Sequence, residues 1–183
     1  LHASRFDTVR EANCPDLNWL HSTLGGGVVV FAGHSAGGLA SILAASSSAD
    51  AVAVVGLDLV DTGDLGLHAA AGLSIPVYGL VGTPSDCNAT GNGVAVYGVV
   101  SDAQTARVTE ADHCDFEDET DWMCTTFCEG TNDRFTDDEI QDTIKGMATA
   151  AIYEQAGLGM GLDDWWQPGG VFYDDLTMLG LIE

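Results

Sequence analysis

The stretch from Val28 to Ala45, VVVFAGHSAGGLASILAA, constrains this chain more than any other. Val28 to Phe31 form a β-branched and aromatic run of the kind buried in a parallel sheet. The run passes through Gly33-His34-Ser35-Ala36-Gly37, a G-x-S-x-G pattern followed by Gly38, into an alanine-rich segment of helical composition. A serine on such a sharp strand-to-helix turn is held in a strained backbone conformation with its hydroxyl pointing out. Side chains at the flanking glycines would collide with the strand and the helix. The following helix aims its N-terminus at the serine, so the Ala36 amide can meet a developing negative charge. Ser35 is therefore the candidate nucleophile and Ala36 the candidate oxyanion donor.

Around this turn the chain reads as alternating strands and helices. A strand is expected over 27–32, a helix over 36–47 and a second buried strand over 51–59. Residues 62–73 are a glycine-rich connection with a short helical turn at most. A third strand covers 75–81, with Pro76 at its start, where no ladder hydrogen bond is lost. Residues 94–100 have a strand-like composition, but parallel strands need a crossover between them, so this segment is predicted helical. The fourth strand covers 105–109. Thr136-Asp137-Asp138-Glu139 is a capping box opening a helix that runs to about Ala156 and stops at Gly157. Residues 5–24 read as a helix interrupted at Pro15. The tail, 158–183, carries Trp165, Trp166, Phe172 and Tyr173 and is expected to pack across the rest.

This order predicts an α/β fold, a parallel sheet flanked by helices, with residues 1–183 as one domain. Sites in such sheets form beyond the carboxyl ends of the strands. Ser35, Asp58, Asp61, Asp86 and His113 all fall there.

Serine is a poor nucleophile until a base takes its proton, and that base needs an acid to fix its tautomer. Of the five histidines, His2 and His21 precede the serine turn. His34 sits inside the motif and reads as a packing or substrate contact; His68 lies in the glycine-rich connection. His113 follows the last strand and is the expected base. For the acid, Asp58 ends the second strand and Asp86 follows the third. Both can reach the histidine, and the residues alone leave the choice open.

Three blocks, GHSAGG, GLDLVD and ADHCDFEDE, resemble the chlorophyllase branch of the α/β-hydrolases, which carries GHSRGG, G-[LIV]-D-P-V-[DA] and GHMDMLDDD in the same order. More distantly, the chain is similar to cutinase-like and polyester-degrading esterases. The resemblance spans about residues 27–157 and is specific in those blocks only. It implies an α/β-hydrolase fold, hydrolysis of carboxylic esters through a Ser-His-Asp triad, and Asp58 as the triad acid. Ala36 stands where that branch has arginine and Leu59 where it has proline, so the likeness extends to ester hydrolysis and not to chlorophyll as substrate.

That fold ordinarily places several strands, and the loop with a second oxyanion donor, before the nucleophile strand. Gly25-Gly26-Gly27 adjoins that strand directly and cannot be that loop. An open edge as apolar as VVVF is adhesive, so a missing N-terminal half, on a separate chain or a further segment, is an expected partner.

Charge narrows the other partners. Five basic residues face 28 acidic ones, a net −23, and such a surface repels nucleic acid and anionic membranes. It fits either adaptation to high salt or an acidic secreted protein in ordinary surroundings. No apolar run approaches the roughly 18 residues that span a bilayer. Cys14, Cys87, Cys114, Cys124 and Cys128 lack metal-site spacing and suit a secreted or periplasmic location, with two disulfides and one cysteine over, Cys14. Asn88-Ala89-Thr90 is a glycosylation sequon, which matters only if the host glycosylates. Asp112, Asp115, Glu117, Asp118, Glu119 and Asp121 lack calcium-loop spacing and read as a solvated acidic loop.

The expected function is a secreted serine esterase that needs no metal or organic cofactor. The alternatives are an inactive interaction subunit of the same shape, and a thioesterase or peptidase on the same residues.

Overall fold

The computed structural model describes residues 27–117, 122–130, 132–159 and 161–183. The helix expected over 5–24, with His2, Cys14 and His21, lies outside the described residues. Four strands, β1 (Val29–His34), β2 (Ala51–Leu57), β3 (Val77–Val81) and β4 (Ala103–Arg107), form one sheet in the order β1-β2-β3-β4. All three pairings are parallel. This is the predicted fold class. The fourth strand begins and ends two residues earlier than the sequence reading had it.

Helices fill both faces. α1 (Ala36–Ser47), α2 (Leu65–Ala70) and α3 (Gly93–Tyr97) are the three crossovers between these strands. Val54 of β2 and Val77 and Val81 of β3 point to one face, where they pack with Ile42, Ala45, Ala70, Val96 and Tyr97. Their neighbours Ala53, Val55, Tyr78 and Leu80 point to the other, the period of two that a pleated strand imposes. That second face is covered by α5 (Asp137–Gln155) through Ile140, Ile144, Met147 and Ala151. The strand-like run 94–100 is helical as far as Tyr97 in α3, as the crossover requires, and a turn over 98–99 follows. Tyr97 explains two glycines: Gly56 and Gly79 are register partners, and the Tyr97 ring occupies the space their side chains would fill.

The capping box is present at α5: Thr136 Oγ1 accepts from the Glu139 N–H, and Glu139 returns a bond to the Thr136 N–H. Its far end stops at Gly157, which has a φ of +77°. Two further helices, α6 (Leu162–Trp166) and α7 (Val171–Leu179), make up the tail. Trp166 is buried, its indole N–H donating to the Met147 carbonyl, and Trp165 stacks on Phe172.

The tail also closes an edge. Arg107 and Glu183 exchange backbone hydrogen bonds, and Thr109 N–H donates to Leu181 O, so residues 181–183 lie antiparallel along β4. Among the described residues, β1 pairs with β2 alone. No described helix is long and apolar enough to cross a membrane.

Candidate active site

The carboxyl ends of β1 and β2 and the loops after β3 and β4 meet at one spot. Ser35 sits between β1 and α1 with φ 55° and ψ −125°, a region that side chains avoid. The turn is held on all sides: Ser35 N–H donates to Leu57 O, and Ser35 O accepts from the N–H groups of Gly38, Leu39 and Val60. A Cβ on Gly33 would run into the Gly37 carbonyl, and one on Gly38 would press on Leu59 and the Gly33 carbonyl. Gly33 and Gly38 of the G-x-S-x-G-G pattern are thus set by sterics.

His113 precedes a short 3-10 turn, Cys114–Phe116, and is 7% exposed. Its Nε2 lies 2.9 Å from Ser35 Oγ and its Nδ1 lies 2.7 Å from Asp58 Oδ2. Asp58 follows β2 directly, at a φ of +39°, and is 2% exposed. Its other oxygen accepts the Gly82 N–H. Serine, histidine and aspartate, brought from three separate loops, form one hydrogen-bonded series.

Ala36 is exposed at the first position of α1, and its N–H has no acceptor among the described residues. Asp86 is exposed, in the wall of a cleft of about 580 Å³ shared with Thr83, Glu110, Phe127 and Asp133; no described hydrogen bond joins it to His113. Asp61 caps α2, its carboxylate accepting from the N–H groups of Gly66 and Leu67, and His68 is exposed on that helix.

His34 packs beneath the site, its ring 4.4 Å from that of His113 and stacked toward Phe116. Burial, then the neighbouring His113, pushes its pKa down to about 4, so it is a neutral wall at ordinary pH.

Two sequence readings need correction. Asn88, in the sequon, is buried, with its side chain bonded to Asp58, Thr83, Ser85 and Gly91. A glycan has no way to sit there in the folded chain. The acidic loop is solvated only in part: Asp112 and Asp115 are buried and build the turn that carries His113. Asp112 accepts from the N–H groups of Cys114, Asp115 and Gly130, while Asp115 accepts from that of Asp112. Burial, with Asp112, Asp137 and Glu129 nearby, raises the Asp115 pKa to about 6.

Both expected disulfides form. Cys114 pairs with Cys124 and Cys87 with Cys128. Cys124 lies within α4 (Trp122–Phe127) and Cys128 directly follows it, so this helix ties the His113 loop to the Asn88 loop. Spacing alone carried no signal of this, because disulfide connectivity is not encoded in cysteine positions. The role of Asn88 has no sequence signal either, because asparagine is by type a mostly exposed residue.

No protein-family profile matches the chain, and no curated protein does. The fold itself is a parallel α/β architecture consistent with the α/β-hydrolase-like superfamily, without pointing to one branch of it.

Proposed function

We propose that the chain is a serine hydrolase that cleaves carboxylic esters through an acyl-enzyme. One observation carries the reading: a single imidazole lies 2.9 Å from Ser35 Oγ and 2.7 Å from the Asp58 carboxylate. Asp58 accepts the Nδ1–H, which leaves the Nε2 lone pair facing the serine. Ser35 Oγ attacks the ester carbonyl carbon as its proton passes to Nε2. The negative charge that forms on the carbonyl oxygen takes one hydrogen bond from the Ala36 N–H at the start of α1. His113 then protonates the departing alkoxide, the ester C–O bond breaks and the acyl group stays on Ser35. Water, deprotonated by the same nitrogen, attacks the acyl carbon; the bond from that carbon to Ser35 Oγ then breaks, Nε2 returns the proton to Oγ and the acid leaves. The steps ask nothing of a metal or an organic cofactor. The three residues come from the blocks that resemble the chlorophyllase branch, and that branch is the relationship we propose. Both disulfides fit an oxidising, non-cytoplasmic location.

Intact mass before and after fluorophosphonate treatment tests the reading. The expected result is one adduct that maps to Ser35 and disappears in Ser35→Ala. An unlabelled Ser35 in folded protein overturns the enzyme and leaves an interaction subunit.

A further inference from the structure

The loop after β3 contains a side chain that the steps above do not use. Asn88 is fully buried although Thr83, Pro84, Ala89 and Thr90 around it are exposed. Its Oδ1 accepts from the Ser85 N–H at 2.8 Å and the Gly91 N–H at 3.0 Å, and its Nδ2 donates to the Thr83 carbonyl at 2.9 Å. Those three bonds shape the loop. The fourth leaves it: Nδ2 also reaches Asp58 Oδ2 at 3.1 Å, the oxygen that faces His113 Nδ1, and lies 3.4 Å from Oδ1.

A carboxylate buried this deeply needs a donor for each lone-pair direction, and the donors it finds fix its rotation. The Gly82 N–H holds Oδ1 and the Asn88 amide holds Oδ2. Without the amide, the carboxylate turns toward its one remaining fixed donor and His113 loses its orientation. We propose that Asn88 is a positioning residue, which sets Asp58 so that the imidazole presents Nε2 to Ser35. This rests on the ester-hydrolase reading and extends it. The substrate does not touch Asn88, so its loss lowers kcat and leaves KM alone.

The test compares the wild-type chain with Asn88→Ala, Asn88→Asp and Thr90→Ala. Losing a hydrogen bond to a charged group lowers kcat by about ten- to a hundredfold in Asn88→Ala, with KM within about twofold. Asn88→Asp keeps the acceptor for Ser85 and Gly91 and replaces only the donor, which guards against simple misfolding. The new carboxyl faces Asp58 and His113, with Asp86 on the same loop. Its kcat relative to wild type recovers on acidification, as that carboxyl gains a proton and can donate again. Thr90→Ala removes the sequon and changes kcat by less than about twofold. Equal kcat per folded molecule in wild type and Asn88→Asp at all pH values overturns the proposal, as does a glycan on Asn88 of the active protein. The downfield proton resonance of the His113–Asp58 bond gives a readout independent of turnover: it shifts or broadens in Asn88→Ala, and its persistence unchanged overturns the role. Failure of wild-type Ser35 to label instead removes the hydrolase reading.

Discussion

Ser35 and His113 stand at the two ends of one hydrogen bond, yet their positions are fixed by opposite means. The serine turn is set by close backbone packing: Gly33 against the Gly37 carbonyl, Gly38 against Leu59, and four backbone hydrogen bonds to Ser35. It needs no cross-link, because its two flanking elements, β1 and α1, are separated by one residue. The His113 turn follows β4, the last strand of the sheet, and enters a long acidic connection. There the conformation is held by buried carboxylates, Asp112 and Asp115, and by the Cys114–Cys124 disulfide. Through α4 and Cys128–Cys87 the same restraint reaches the loop of Asn88. A nucleophile on a strand-to-helix turn is positioned by the fold itself; a base on a loop has to be tied down separately.

The comparison breaks most completely at the glycine. Gly33→Val puts a branched side chain into the Gly37 backbone at a site that cannot yield. We expect no soluble folded protein, read by expression and circular dichroism, whereas Ser35→Ala folds normally and loses all ester turnover. A folded Gly33→Val would mean that sterics do not set the turn. Next is the acid: Asp58→Asn reduces kcat by about 10⁴-fold, as loss of the tautomer-fixing carboxylate does in such triads. Asp86→Asn changes kcat by less than about twofold, being exposed in its cleft. Equal losses in the two variants would return Asp86 to the site.

The cross-links separate the two regions directly. Each disulfide stabilises by about 2–4 kcal/mol. With dithiothreitol the His113 and Asn88 loops lose both restraints, while β1, Ser35 and α1 carry none. Turnover should fall at lower reductant than the far-UV signal does, and fluorophosphonate labelling should fall with turnover. Loss of activity only together with the whole fold would show that α4 is a general staple and not a restraint on the site.

What the sequence revealed follows the same division. The Ser35 turn, α1, the capping box at Thr136 and the stop at Gly157 were legible because each depends on residues within one or two turns of chain. For the strand-like run 94–100, a topological requirement outweighs composition, and its residues up to Tyr97 are helical in α3. The fourth strand was displaced because Val108 and Thr109 do pair in extended form, but with the tail and not with β3 alone. Asp58 could be chosen over Asp86 only through a family likeness, since the choice depends on which loop turns inward. Asn88, Asp112 and Asp115 look like surface residues by type. Their burial is a long-range outcome, visible only when β2, β3 and the His113 loop are seen together.

The smallest expected effect concerns Asp115, and it sharpens the contrast most finely. Its pKa, raised to about 6 by burial and by nearby carboxylates, means that the folded chain holds a proton over a range, from about 4 to about 6, in which the unfolded chain has released it. By linkage, stability falls as pH rises through that window. The cost is fully present above the folded pKa and absent below the unfolded one. Asp115→Asn keeps an oxygen to accept the Asp112 N–H and removes the charge, so near neutral pH it should be the more stable chain. A gain of about 1 kcal/mol corresponds to a Tm rise of about 2–4 °C for a chain of this size. Near pH 4 the two melting temperatures should converge. His34 works the other way, since its lowered pKa makes stability rise with pH between about 4 and 6.5. It is present in both chains, so the difference between their Tm curves isolates Asp115. Parallel curves across the range would show that the carboxyl is solvated after all, and that the His113 turn rests on Asp112 and its disulfide without Asp115.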